Sequence, residues 1–280
     1  MVSDAKPAVI VTGDVHQCDS TVIREQRFYD GNETSAAKSY AEILGKYGLK
    51  GTLFYTGRCF RDEINDVQAV AGMEHIEIGG HTYNCYKPRI VYKVWRRLTG
   101  YTNGPRILQE WDIRRTLQAA QAAGIKITTW RNHAYVEDAN TLDLLLKFGI
   151  THVSNEVGPY AGIKRKVIGD RDLISVGINV WPDHDHMVHG DLKLEAGVSR
   201  RLVRNRFPNN VFQPLDWLEQ VVQDINVRLS QGRHAVLLVH PGCMMTLGGM
   251  WLFELLCQKI AHLPTAGISE IRSDEGPVSE

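Results

Sequence analysis

The chain has 280 residues, with 32 Lys+Arg against 32 Asp+Glu, 43% hydrophobic residues, 25 Gly and 10 Pro. This composition excludes disorder, collagen and coiled coil, and at this length either two domains or one large α/β barrel is open. A formal net charge of zero lacks the basic excess of a nucleic-acid binder, and no run of about 20 apolar residues offers a membrane span, so neither partner is expected.

In chain order, the polar opening Met1 to Pro7 leads into Ala8 to Thr12, too short an apolar run for the core of a secretion signal. The five cysteines, Cys18, Cys59, Cys85, Cys243 and Cys257, form no C-x-x-C pair and suit a reducing compartment. A cytoplasmic location is the expectation. β-branched runs predict strands at Ala8 to Thr12, Gly51 to Thr56, Ile76 to Gly79, Ile125 to Trp130, His152 to Asn155, Leu173 to Val180 and Ala235 to His240. Helical spacing falls between several of them, at Ser35 to Tyr47, Ile107 to Ala123, Ala139 to Phe148, Leu215 to Leu229 and Met250 to His262. Gly48, Gly124, Gly149 and Gly232 read as helix stops, and Asp138-Ala139-Asn140-Thr141 as a helix start. Val157 to Arg171 and Pro182 to Pro214 read as irregular loops.

Strand alternating with helix predicts a parallel sheet covered by helices. Seven strands without a Ser/Gly-rich linker favour one barrel over residues 1–280 rather than two lobes. Chemistry in such barrels sits where strands end, which directs attention to a few polar residues. Period-two alternation in Thr12-Gly13-Asp14-Val15-His16 puts Asp14 and His16 on one face; a capping Asp beside a chance His is the bland alternative. After strand three, His81 and Cys85 are four residues apart, which suits metal ligands on one helical turn and equally suits a bonded core His with a buried thiol. Arg131, after Trp130, is placed either to hold a carboxylate, with Asp14 the natural partner, or to sit in a surface loop. The last strand delivers His240, whose imidazole is suited to donating a proton near neutral pH. His184, His186 and His189 lie in a polar loop that reads as solvated rim before it reads as a second metal site, and Trp181 beside them is suited to walling a sugar. Trp130 and Trp217 read as core.

Taken in order, these segments resemble the motif series of the polysaccharide deacetylases, the NodB-homology or carbohydrate esterase family 4 enzymes. Thr12 to His16 looks like the first motif, His81 to Cys85 like His-Ser/Thr-x-x-His, Arg131 onward like Arg-x-Pro-Tyr, and Leu238-Val239-His240 like the closing Leu-x-His. Lys46 to Phe54 is similar to the family's link between first helix and second strand. The resemblance implies a distorted (β/α) barrel, a divalent metal that polarises an N-acetyl carbonyl, Asp14 as base, His240 as acid, Arg131 orienting Asp14, and the Ala134 backbone N–H at the oxyanion. The pattern departs at Val15, where a metal-binding carboxylate is usual, at Cys85 in place of the second His, and at His133 and Ala134 in place of Pro and Tyr, with Tyr135 one place late. A set of His16, His81 and Cys85 would favour zinc.

The expected function is metal-dependent hydrolysis of a C–N amide bond, N-deacetylation of an acetylated amino sugar or glycan, on a small-molecule or oligosaccharide substrate. The alternatives are a metal-free amidohydrolase resembling the allantoinase-like and cyclic-imidase branch, and a catalytically silent sugar-binding barrel.

Overall fold

The structure is a computed structural model that describes residues 6–21, 23–100, 103–190 and 205–273. The strands are β1 (Val9–Val15), β2 (Gly51–Tyr55), β3 (Ile76–Gly80), β4 (Thr129–Trp130), β5 (His152–Val153), β6 (Ile163–Ile168), β7 (Arg171–Val176) and β8 (Ala235–Leu238). They form one sheet in the order β6-β7-β5-β4-β3-β2-β1-β8. Every pairing is parallel except the β6–β7 hairpin.

Both faces of the sheet are buried, so every residue of β1 and β2 is buried rather than every second one. Alternation survives in what each face packs against. Val9, Val11, Leu53, Tyr55, Ala235 and Leu237 join the core under the helices. Ile10, Phe54, Val236 and Leu238 join a second cluster with Val157, Val176 and Ile178 in the interior of the curved sheet. The chain beyond β7 completes the curve: the amides of Asn179 and Val180 both donate to the Val236 carbonyl at 3.1 and 3.2 Å, and the Val236 amide donates to Asn179 Oδ1 at 2.9 Å. The sheet is thereby closed into a distorted barrel beside β8. Gly80 is required inside it, because a Cβ there would lie 2.4 Å from the Trp130 ring.

The helices are α1 (Glu33–Lys46), α2 (Gly57–Asp62), α3 (Ile64–Ala71), α4 (Arg89–Thr99), α5 (Arg106–Ala122), α6 (Ala139–Lys147), α7 (Asp183–His186), α8 (Pro214–Ser230), α9 (Pro241–Met245) and α10 (Trp251–Ile260). Asp138 and Thr141 form the capping box that starts α6, and α1 and α6 stop ahead of the left-handed Gly48 and Gly149. No helix among the described residues is long and apolar enough to cross a membrane.

The seven expected strands and five expected helices all occur, with β4 and β5 shortened to two residues each. The segment read as irregular from Val157 to Arg171 instead carries β6, whose Lys164, Arg165 and Lys166 mask the apolar pattern. Helices α2, α3 and α4, which follow strands β2 and β3, were not singled out from the sequence. Within the second irregular segment, residues 191–204 lie outside the described residues.

Candidate active site

The site follows from the register of two neighbouring strands. On β1 the interior face that begins with Ile10 continues through Thr12 to Asp14, and on β8 the face of Val236 and Leu238 continues to His240. Asp14 and His240 therefore meet at one mouth: Asp14 Oδ2 lies 3.7 Å from His240 Nε2 and 3.8 Å from His81 Nε2.

Asp14 Oδ1 accepts from Arg131 Nη1 at 2.8 Å. Arg131 is fully buried; its Nε donates to the Ser154 carbonyl, its Nη2 to Ser154 Oγ and Thr12 Oγ1, and its guanidinium lies 4.4 Å from the Phe54 ring centre. Burial would raise the Asp14 pKa, but His81, Arg131, His240 and His16 outweigh it and hold the carboxyl well below its usual range. Asp14 is thus an anion with one oxygen committed and the other turned to the imidazoles.

Behind His240 stands Asp183, at the first position of α7. Its Oδ1 is 2.8 Å from His240 Nδ1, and its Oδ2 accepts from the His240 backbone N–H at 2.6 Å. Burial lowers the His240 pKa, yet the charge and hydrogen bond of Asp183 outweigh that and push it up to about 9. With Nδ1 held by Asp183, Nε2 is the atom offered towards Asp14.

Three imidazoles face one another beside this pair: one ring nitrogen from each of His16, His81 and His133 lies within 4.8 Å of the other two. His16 Nδ1 is held by Glu33 Oε2 at 2.8 Å, and the same oxygen accepts from the His16 amide at 2.7 Å. His81 Nδ1 sits 2.9 Å from the Arg131 carbonyl, while its Nε2 is buried without a hydrogen-bond partner among the described residues. A buried ring nitrogen with no partner is costly unless something else binds it, and imidazoles whose far nitrogen is fixed by a carboxylate or a carbonyl have the arrangement of metal ligands. Burial drives His81 down to about 3 and, together with His16 and His81, drives His133 well below the ordinary value, which leaves both rings neutral with a lone pair to give. Burial also opposes the charged form of His16, but Glu33 outweighs it and raises that pKa. The donor set fits a divalent transition ion such as zinc, with three nitrogens and an open fourth position.

Cys85, expected as the third ligand, is not part of this group. Its buried Sγ faces Gln17 Oε1 at 3.8 Å, and His133 stands where the thiol was expected. The helical turn assumed after His81 does not form: Thr82, Cys85 and Tyr86 all take positive φ, near 60°, which turns the chain away. Ala134 and Tyr135 also adopt left-handed backbone (φ 58° and 57°) in the turn carrying His133. Such residues cost of order 1–3 kcal/mol each and collect at functional sites. Tyr135 is buried in the interior cluster. Trp181 packs on His186, Phe207 and Phe212, with ring centres 4.7–5.3 Å away, rather than standing clear as a sugar wall. Trp130 and Trp217 are core. His186 is held between the Asn210 carbonyl and Asn205 Nδ2.

Three residues of the site were not singled out from the sequence. Asp183 follows the strand-like run ending at Val180, so the strand-end rule could have found it. His133 was seen only as a departure from a motif, and Glu33 opens a helix with no local sign of its role.

No family model matches the chain, and no curated protein matches it. Among solved structures it is similar to a protein from Mycobacterium smegmatis described as a polysaccharide deacetylase, at 16% identity over 96% of this chain and 93% of that one, with a TM-score of 0.72. It is similar to Puue allantoinase at 9% identity over 93% and 87%, TM-score 0.62, and to a mutant of a CE4 family pseudoenzyme at 13% identity over 96% and 71%, TM-score 0.52. At these identities the likeness is one of fold: the chain has the distorted-barrel fold of the polysaccharide deacetylases.

Proposed function

We propose that the protein is a metal-dependent amide hydrolase that removes the acetyl group from an N-acetylated amino sugar or glycan. The observation that carries this reading is the meeting of a three-imidazole cluster with an acid and a base at one strand mouth. A divalent ion held by His16, His81 and His133 would polarise the amide carbonyl and acidify the attacking water.

The remaining work belongs to the chain's own groups. Asp14 Oδ2 accepts the proton of the attacking water while Arg131 keeps Oδ1 in place. A carboxylate held so far below its ordinary range is ionised at any working pH but is a weak base, so it needs an acidified water to act on. His240 Nε2, kept protonated by Asp183 to about pH 9, delivers a proton to the departing nitrogen. Ala134, in the left-handed turn between His133 and Tyr135, is the residue whose backbone N–H is assigned to the developing oxyanion.

The test is turnover of a panel of N-acetylated amino sugars and oligosaccharides by zinc-loaded protein, before and after chelation and in Asp14→Asn. The reading requires acetate release that is lost in both treatments. Undiminished turnover after chelation would instead favour a metal-free amidohydrolase, and no turnover on any acetylated sugar or small amide would favour a silent sugar-binding barrel.

A further inference from the structure

Beside His240, three candidate ligands, Cys243, His184 and His189, lie with their ligand atoms within 4.8 Å of one another, and Glu25 approaches His184. Cys243 lies in α9, His184 in α7, His189 in the loop after α7, and Glu25 in the single helical turn Arg24–Arg27. Cys243 Sγ is 3.6 Å from His184 Nδ1 and 3.7 Å from His189 Nε2, and His184 Nδ1 is 3.6 Å from Glu25 Oε1.

These spacings suit a coordination shell as well as a hydrogen-bonded cluster. Bonds to zinc of about 2.3 Å for sulfur and about 2.0–2.1 Å for nitrogen, set at a tetrahedral angle, place S and N about 3.6 Å apart. Both sulfur–nitrogen distances match. Cys243 and His189 are buried, and His189 Nδ1 has no partner among the described residues. A hydrogen bond from His189 Nε2 to the His184 carbonyl, at 3.0 Å, is the competing arrangement. It engages the same Nε2 that stands 3.7 Å from Cys243 Sγ, so coordination through that atom would displace this hydrogen bond.

We propose that Cys243, His184 and His189 form a second zinc site, separate from the three-histidine cluster, with Glu25 paired to His184 at its edge. The sulfur favours a soft ion, and the thiolate offsets one of the two charges of zinc in a half-buried setting. Three protein ligands hold the ion and leave a fourth position, as at the three-histidine cluster, but here one ligand is sulfur. The ion would clamp α7 and the loop after it onto α9. Because Asp183 precedes His184 and His240 lies three residues before Cys243, the clamp fixes the Asp183–His240 pair. Zinc binding would require only that the Cys243 thiol and the imidazoles give up their protons.

The sulfur makes the site separately observable. Full-length protein stripped of metal and titrated with Co²⁺ should develop a near-ultraviolet thiolate-to-cobalt charge-transfer band. The band should persist in His81→Ala, which damages only the other cluster, and vanish in Cys243→Ser. Should Cys243→Ser fail to fold, His189→Gln keeps the sulfur and should raise the cobalt concentration needed for the band by about tenfold or more. Zinc content should fall from two per chain to one in His189→Gln. Absence of the band in wild-type protein, or its survival unchanged in Cys243→Ser or His189→Gln, overturns the site. Because the band does not depend on turnover, loss of the deacetylase reading and loss of this site are distinguishable.

Discussion

Asp183 grips His240 twice, at Nδ1 and at the backbone N–H, with distances of 2.8 and 2.6 Å. The carboxylate thereby fixes the tautomer and the height of the imidazole, and it outweighs burial to keep the ring protonated to about pH 9. Asp183→Asn should lower kcat by roughly 10²–10⁴-fold. It should also move the alkaline limb of kcat/KM to lower pH, because the acid form is lost once pH exceeds its pKa and Asp183 is what raises that pKa. A pH–rate profile of wild type and variant checks both; an unmoved limb would mean that His240 is not the group titrating.

Arg131 is wholly buried and its donors meet Asp14, Thr12 and Ser154. Arg131→Met leaves the buried Asp14 carboxylate without its hydrogen-bonded cation, at a cost of about 3–5 kcal/mol in unfolding free energy. Adding Asp14→Asn removes that charge and should restore part of the loss. Urea unfolding of the two single variants and the double variant measures the coupling, and strict additivity would contradict it.

How far the sequence foretold the site can be argued from these residues. Asp14, Arg131 and His240 sit at the ends of strands, and strand periodicity alone fixes the face on which Asp14 and His240 point. His81 is likewise fixed at the end of β3. Beyond the strand ends the rules change: the i, i+4 reasoning that paired His81 with Cys85 presumes a helical turn, whereas left-handed backbone at Thr82, Cys85 and Tyr86 redirects the chain. Glu33 and Asp183 reach the site only through tertiary packing, 17 and 57 residues from the histidines they hold, and local pattern carries no trace of such pairs. Strand β6 was missed for a related reason. It is the antiparallel edge of the sheet, half-exposed and basic, and so lacks the apolar run of its buried neighbours.

The corrected ligand set makes its own prediction. His133→Ala should abolish stoichiometric metal binding at the three-imidazole cluster, while Cys85→Ala should leave it intact, since the thiol faces Gln17. Competition titration against a chromophoric chelator distinguishes the two variants. The reverse result would restore Cys85 as the ligand.

Gly242 is the residue that lets Glu33 reach His16: a Cβ there would lie 2.6 Å from Glu33 Oε1. Gly242→Ala should displace the carboxylate and cost 10–100-fold in metal affinity at the cluster, on the order expected for losing an outer-shell partner of a ligand. Glu33→Gln should cost a similar amount. If both act through the one contact with His16, the double variant should be little worse than either alone, and multiplied losses would show that Gly242 acts by another route.

Asp112 supports the loop that follows His81 by accepting the Tyr83 amide at 3.0 Å on each oxygen. Burial raises its pKa to about 7, only partly opposed by that hydrogen bond. Because the folded value lies above the unfolded one of about 3.9, the native state holds the proton more tightly. The stabilisation from Asp112 is complete below the unfolded value and is lost as pH rises through about 7. Asp112→Asn keeps an acceptor for Tyr83 and cannot ionise. Between about pH 4 and pH 7 the unfolding free energy of wild type should therefore decline relative to this variant, with a slope of at most one proton. Parallel stability curves across that interval, measured by urea denaturation, would show that Asp112 stays charged in the folded protein and that its burial is relieved by a contact other than the Tyr83 amide.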